Sequence, residues 1–166
     1  LSKIFKDGNE QILRILYPGQ ILGYRSVLLQ RPYGGTAITL KSSHLCAIPS
    51  DLFLRFVHEN PKIAYEMMRQ ACEDLGTLQN RVAHMGYKNV VEKVAEALIY
   101  FSEHNSHERN VVEISREDLA QFMGIARETV SRVISEFKSE RLIDVKGRRI
   151  ILLNRESLYR LAHLYD

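Results

Sequence analysis

The chain has 166 residues, of which 45% are hydrophobic and 26% charged, and its net charge is +3. That apolar share supports one or two packed cores and excludes an intrinsically disordered chain, while the mild basicity suits a polyanionic partner without demanding one. Cys46 and Cys72 lack metal-ligand spacing, and the chain has neither a run of about 18 apolar residues nor a signal-peptide pattern, so the expectation is free thiols, a reducing cytoplasm and no membrane partner.

Leu1 is not an initiator methionine, and the chain opens in strand-like sequence, so it reads as a fragment of a longer one. Residues 3–6 and 11–16 flank Asp7-Gly8-Asn9 and predict a β-hairpin, because Asp-Gly supplies the positive φ angles of tight hairpin turns. Pro18-Gly19 closes it. Short strands are expected at 20–22, 36–40 and 45–48, separated by Gly23, Gly34-Gly35 and Ser42-Ser43. This is the spacing of a β roll with too few strands to close alone.

Ser50 can cap a short helix over 51–59, and Pro61 suits the first turn of a longer one. Along the longer helix, Ala64, Met68, Ala71, Leu75, Leu78, Val82 and Met85 recur at alternating steps of four and three. Such an a/d stripe either packs on its own β domain, with Ile63, Met67 and Cys72 on the flank, or forms a parallel two-helix contact. The narrow, continuous seam favours the homodimer. Gly86 offers a helix stop and Asn89 a new N-cap, which makes 86–89 a hinge. A helix over 90–101 follows, with Val90, Val94, Leu98 and Phe101 on one face, and then a polar loop whose His104 and His107 are too few to hold a metal.

Ser115-Arg116-Glu117-Asp118 is a capping-box pattern ahead of an apolar helix with Leu119, Ala120, Phe122 and Met123. Gly124 ends that helix, and a second begins near Ala126. Two helices joined by a short turn at a glycine form a helix-turn-helix. On the second helix, Arg127, Glu128, Ser131, Arg132 and Ser135 share one sector, and Val130, Val133, Ile134 and Phe137 the other. Arginine can donate two bonds to guanine, glutamate can accept from cytosine, and serine can serve either base type. A Glu128–Arg132 surface pair would explain two of those residues without any ligand. What decides for nucleic acid is the continuation: strands at 141–145 and 149–152 around Lys146-Gly147-Arg148 make a wing whose tip can reach phosphates.

Residues 114–152, with Arg-Glu-Thr-Val-Ser-Arg at 127–132 and the Lys-Gly-Arg wing tip, closely resemble the DNA-binding domain of the CRP/FNR transcription regulators. The order of segments also fits. The resemblance implies an α+β fold with a partial cyclic-nucleotide-binding-like β roll (1–60), a dimerisation helix and hinge (61–88) and a C-terminal winged helix-turn-helix (89–166). It implies a homodimer on a palindromic double-stranded DNA operator, base contacts from Arg127, Glu128 and Arg132, and an RNA polymerase contact. Ser131 matches the serine that the FNR branch uses for readout. Phosphate contacts would come from Ser115, Arg116, Thr129, Lys146 and Arg148. Ala126 departs from relatives that carry a capping serine there.

Cyclic-nucleotide-binding relatives carry Gly-Glu-Leu and, after a gap, Arg-Ser/Thr-Ala. This chain has Gly23-Tyr24-Arg25 and Gly34-Gly35-Thr36-Ala37, with Tyr24 in place of the ribose-binding glutamate and Gly35 in place of the phosphate-binding arginine. The nucleobase-contacting Thr-Ser pair falls on Leu78 and Gln79. A phosphate without its bidentate arginine is poorly held, so cyclic AMP control is not expected and the effector is unknown. Cys46 and Cys72 alone are too few for an iron-sulfur cluster, a preceding segment being the place where further iron-sulfur or haem ligands would lie, and no cofactor is assigned. The alternative function is a small-ligand sensing or interaction module whose winged domain docks protein. An enzyme is not expected, because Gly-rich phosphate loops, metal-ligand spacings and nucleophile elbows are all missing.

Overall fold

The computed structural model describes residues 1–104, 108 and 110–163, with backbone alone at 84 and 85. In chain order the elements are β1 (Ser2–Ile4), β2 (Glu10–Ile12), α1 (Tyr24–Leu28), α2 (Ser50–Glu59), α3 (Pro61–Tyr87), α4 (Val90–Glu103), β3 (Val111–Glu113), α5 (Arg116–Met123), α6 (Arg127–Ser139), β4 (Ile143–Lys146), β5 (Arg149–Leu152) and α7 (Arg155–Leu161). They gather into two compact units, Leu1–Tyr17 with Lys88–Asp166, and Pro18–Tyr87.

In the first unit α4 starts at a reciprocal cap. The Glu92 N–H donates to the Asn89 side chain at 3.1 Å, and the Asn89 N–H donates to the Glu92 carboxylate at 3.0 Å. Two orphan helix donors are thereby satisfied. The inward faces of α4, α5 and α6 meet a three-stranded antiparallel sheet of order β3-β5-β4. Val94, Leu98, Leu119, Val130, Val133, Phe137, Ile150 and Leu158 are essentially without solvent contact in this one core. Each such side chain contributes about 1.5–3 kcal/mol of burial free energy.

Two elements of this unit lie outside those that the sequence predicts. Strand β3 pairs with β5 through Val111↔Ile151 and Glu113↔Arg149. Helix α7 is capped by Asn154, which accepts from the Ser157 N–H at 3.0 Å. Lys88, whose side chain is only 8% exposed, donates to the Ala162 carbonyl at 2.7 Å and pairs with Glu96 at 3.2 Å. Within this unit Lys88 is thereby tied to the end of α7.

The expected N-terminal hairpin is present, with register Ser2↔Ile12, Lys3↔Gln11 and Ile4↔Glu10. Its second strand stops at Ile12, and the connection is wider than a two-residue turn. The Phe5 N–H donates to the Asn9 carbonyl at 2.8 Å, and Gly8 at φ 83° turns the chain. Strand β2 packs against α5.

The second unit differs from expectation in its strands. Residues 20–22, 36–40 and 45–48 form no ladder; Thr36 makes a single bridge, and α1 begins at Tyr24. Alternating apolar residues do not make a strand alone, because its backbone groups need a paired neighbour along the whole edge. Ser50 is the first residue of α2 and Pro49 occupies the N-cap, so the serine does not cap. Helix α3 continues through Gly86 to Tyr87. One glycine only lowers helix propensity by about 1 kcal/mol, and the break falls at residues 88 and 89, where Asn89 begins the next helix.

Candidate nucleic-acid interface

Helix α5 begins at Ser115, whose hydroxyl accepts from the Asp118 N–H at 2.9 Å. It ends at Gly124, which sits at φ 67°, ψ 37° in the left-handed region, and the Ile125 N–H donates to the Ala120 carbonyl at 3.2 Å. A residue with a Cβ resists that conformation, so glycine fixes the turn. Ala126 then supplies the N-cap of α6 with extended backbone, φ −64° and ψ 139°, and no side-chain hydrogen bond. The departure noted in the sequence is visible as an unfilled cap.

Helix α6 buries Val130, Val133, Ile134 and Phe137. Its other sector carries Arg127, Glu128, Arg132 and Ser135 in solvent and Thr129 and Ser131 half-buried. The structure therefore brings the four expected base-reading residues, Arg127, Glu128, Ser131 and Arg132, onto one sector at the start of the helix. Beside them β4 and β5 form the wing, with register Lys146↔Arg149 and Gly147-Arg148 as its two-residue tip. Gly147 at φ 61° occupies the first central position, as tight hairpins of the II′ class require. Lys146 and Arg148 are exposed there.

Electrostatics around α6 involve two carboxylates from the first turn of α5. Glu117 lies 3.8 Å from Arg127, and Asp118 lies 3.6 Å from Arg148. The first turn of α5 thus places a carboxylate near one expected base-reading arginine and another near one expected phosphate-binding arginine. Arg132 pairs with Glu136 at 3.8 Å, so the surface pair on this helix runs toward its C-terminus. All three arginines are more than 60% exposed in these pairs. Exposed pairs of this kind are weak and can be exchanged for a phosphate or a base edge. Arg116 is half-buried, and that burial lowers its pKa from the ordinary guanidinium value. A guanidinium stays cationic under such a shift.

The expected dimer stripe lies on α3. Ala64 is half-buried, Met68, Ala71, Leu75, Leu78 and Val82 are exposed, and the Met85 side chain lies outside the described residues. In the unit containing α3, the degenerate effector cassette is engaged from within. Tyr24 is 8% exposed and its hydroxyl donates to the Asp74 carboxylate of α3 at 2.6 Å, while the Gln70 amide donates to the same carboxylate at 2.9 Å. Gly23, at φ 86°, precedes it, and a Cβ there would meet the Tyr33 ring at 2.8 Å. Arg25 and Thr36 are exposed and Gly35 half-buried. His104 faces aromatic rings, and His107 lies outside the described residues. Among the described residues, no helix is long and apolar enough to cross a membrane.

A Crp-like helix-turn-helix domain matches residues 92–161, and a cyclic nucleotide-binding domain matches residues 1–60. The fumarate and nitrate reduction regulatory protein of Yersinia pestis is 28% identical over 166 residues, covering 96% of this chain and 65% of its own length. The CRP-like cAMP-activated global transcriptional regulator of Mycobacterium tuberculosis is 24% identical over 161 residues, covering 94% and 72%. This chain therefore spans just under two thirds of the first relative. A solved CRP/FNR-family transcriptional regulator from Thermus thermophilus superposes with a TM-score of 0.78 at 24% identity, covering 98% of this chain and 81% of that one, a likeness of fold. With one family domain matched at each end, in the family's order and on its fold, the chain belongs to the CRP/FNR family.

Proposed function

We propose that the protein is a sequence-specific regulator of transcription that binds duplex DNA as a homodimer. The observation that carries this reading is the exposed sector of α6. Arg127, Glu128 and Arg132 project from a helix whose opposite side is locked into the core, next to a wing that ends in Arg148. The N-terminal part of such a helix enters the major groove, where arginine and glutamate discriminate bases. Ser115, Arg116, Thr129, Lys146 and Arg148 surround that sector and contact phosphates, which fix register without carrying sequence information.

Residues 1–60 serve as a partial sensor, 61–88 as dimerisation helix and hinge, and 89–166 as reading head. Ala64, Met68, Ala71, Leu75, Leu78, Val82 and Met85 form the seam between two copies, and the apolar exposure of its central residues supports a partner helix. Two reading heads related by a two-fold axis call for a palindrome with half-sites about 34 Å apart. RNA polymerase is the further partner by family, and the cytoplasm is where both are met. A relative from Mycobacterium tuberculosis is named as cAMP-activated. Here Tyr24 and Gly35 stand in the two anchoring positions, and Tyr24 is already bonded to Asp74. Cyclic AMP is therefore not the effector.

The test is equilibrium DNA binding by the purified full chain. Arg127→Ala and Arg132→Ala should each cost about 1–3 kcal/mol on the preferred sequence and relax the preference at one base position. An equal loss on all sequences would reduce these arginines to phosphate contacts. Binding that does not weaken as salt rises would point to a protein partner instead.

A further inference from the structure

Residues 1–17 reach the helix-turn-helix by two separate routes. The first is polar. Gln11, opposite Lys3 in the hairpin ladder, brings its Nε2 to 3.0 Å from the point where a Cβ on Gly124 would sit. That position, which glycine leaves vacant, belongs to the left-handed residue from which the chain turns into α6, and strand β2 packs against α5 beside it.

The second route is aromatic. The half-buried Tyr17 ring stacks on His104 with centroids 4.5 Å apart and lies 6.5 Å from Tyr100. His104 is itself held at the end of α4, its Nδ1 2.8 Å from the Tyr100 carbonyl. Tyr100 stacks on Phe122 of α5 at 5.6 Å, and Phe101 meets the same ring at 5.0 Å. Phe122 sits two residues before Gly124. Burial first, and then the Tyr100 hydroxyl, raise the Tyr17 pKa far above the ordinary phenol, as expected for a ring seated in the protein. Both routes therefore lead to the same short turn, one beside Gly124 and one on the helix that leads into it.

We propose that Gln11 and Tyr17 are positioning residues for DNA reading, bracing the turn at Gly124 so that Arg127, Glu128 and Arg132 leave the domain at a fixed angle. The inference rests on the DNA-reading assignment above. Bidentate base contacts demand placement within about 0.5 Å, which only a supporting shell enforces. Phosphate contacts act largely through charge and tolerate more movement. Loss of the brace therefore lowers discrimination between sequences and leaves sequence-independent binding in place. A general loss of folded protein would instead lower both together.

The experiment measures the affinity of the full chain for its preferred duplex and for a scrambled duplex at one salt concentration, for wild type, Tyr17→Ala, Tyr17→Phe and Gln11→Ala. Tyr17→Ala should lower the preferred-to-scrambled ratio about tenfold, with the scrambled affinity and its salt slope unchanged. Tyr17→Phe, which keeps the ring, should stay within about twofold of wild type, and Gln11→Ala should lower the ratio about threefold. A wild-type ratio for Tyr17→Ala, or a Tyr17→Phe ratio as low as that of the alanine variant, overturns the proposal. Should Tyr17→Ala fail to fold, Gln11→Ala decides: an unchanged ratio overturns the brace. No sequence preference in the wild-type chain would be a failure of the DNA-reading assignment, and that outcome is distinct from any of these.

Discussion

Replacing Ala126 by serine should stabilise the reading head, and the magnitude follows from the geometry of the cap. The backbone at 126 is already extended, as an N-cap requires, and the Ala126 carbonyl already accepts from the Thr129 and Val130 N–H groups at 3.1 and 3.2 Å. Only the side-chain acceptor for the first-turn N–H groups is missing. Residue 126 is exposed, so a hydroxyl can be added without displacing a neighbour. Caps of this kind contribute about 0.5–2 kcal/mol, typically about 1. For a unit of this size that gain corresponds to about 4–8 °C in Tm. Denaturant unfolding and slowed hydrogen exchange of the α6 amides would measure it. Ala126→Val, which adds bulk without an acceptor, should give no gain. Equal Tm values for the serine and valine variants would refute the claim that α6 starts at an unfilled cap.

Other consequences follow from single contacts. Tyr24→Phe removes the hydroxyl that bonds Asp74 and should cost about 1 kcal/mol of stability in denaturant unfolding; an unchanged midpoint would mean that the bond carries no net weight. Lys88→Met removes the donor shared by the Ala162 carbonyl and the half-buried Glu96 carboxylate, at a cost of about 1–3 kcal/mol. Hydrogen exchange in α7 should report the loss first. Arg148→Gln should reduce the slope of log affinity against log salt by about one, with sequence preference retained. Because the folded Tyr17 pKa lies above its ordinary value of 10.0, its contribution is fully present below about pH 10 and is lost as pH rises beyond it. The wild-type chain should therefore lose stability relative to Tyr17→Phe in alkaline unfolding series, and parallel curves would contradict that assignment.

The reading head was legible because its signals are local. Ser115 and Asp118 form a cap within one turn, Gly124 takes the left-handed conformation only glycine adopts freely, and four apolar residues of α6 repeat at helical spacing. The wing was equally plain, since Gly147 sits where a two-residue turn demands it. What escaped depends on partners distant in sequence. Strand β3 exists through its pairing with Arg149 and Ile151, and the strands expected at 20–22, 36–40 and 45–48 lack such ladders. Helix α7 was missed although Asn154 and Ser157 signal its start. The hairpin at 1–17 has the pattern of a sensor strand pair, and nothing in its own residues shows that Gln11 lies beside Gly124 or that Tyr17 stacks on His104. Likewise Glu117 reads as a first-turn acid, and only the fold brings it to Arg127.

The central claim, that α6 and its symmetry mate read duplex DNA, is tested most directly by selecting bound sequences from a random duplex pool with the full chain. The expected result is an enriched palindrome with half-sites about one helical turn apart, whose preferences shift at single positions in Arg127→Ala and Arg132→Ala. A pool that stays random after repeated rounds, while the protein remains folded, would contradict it.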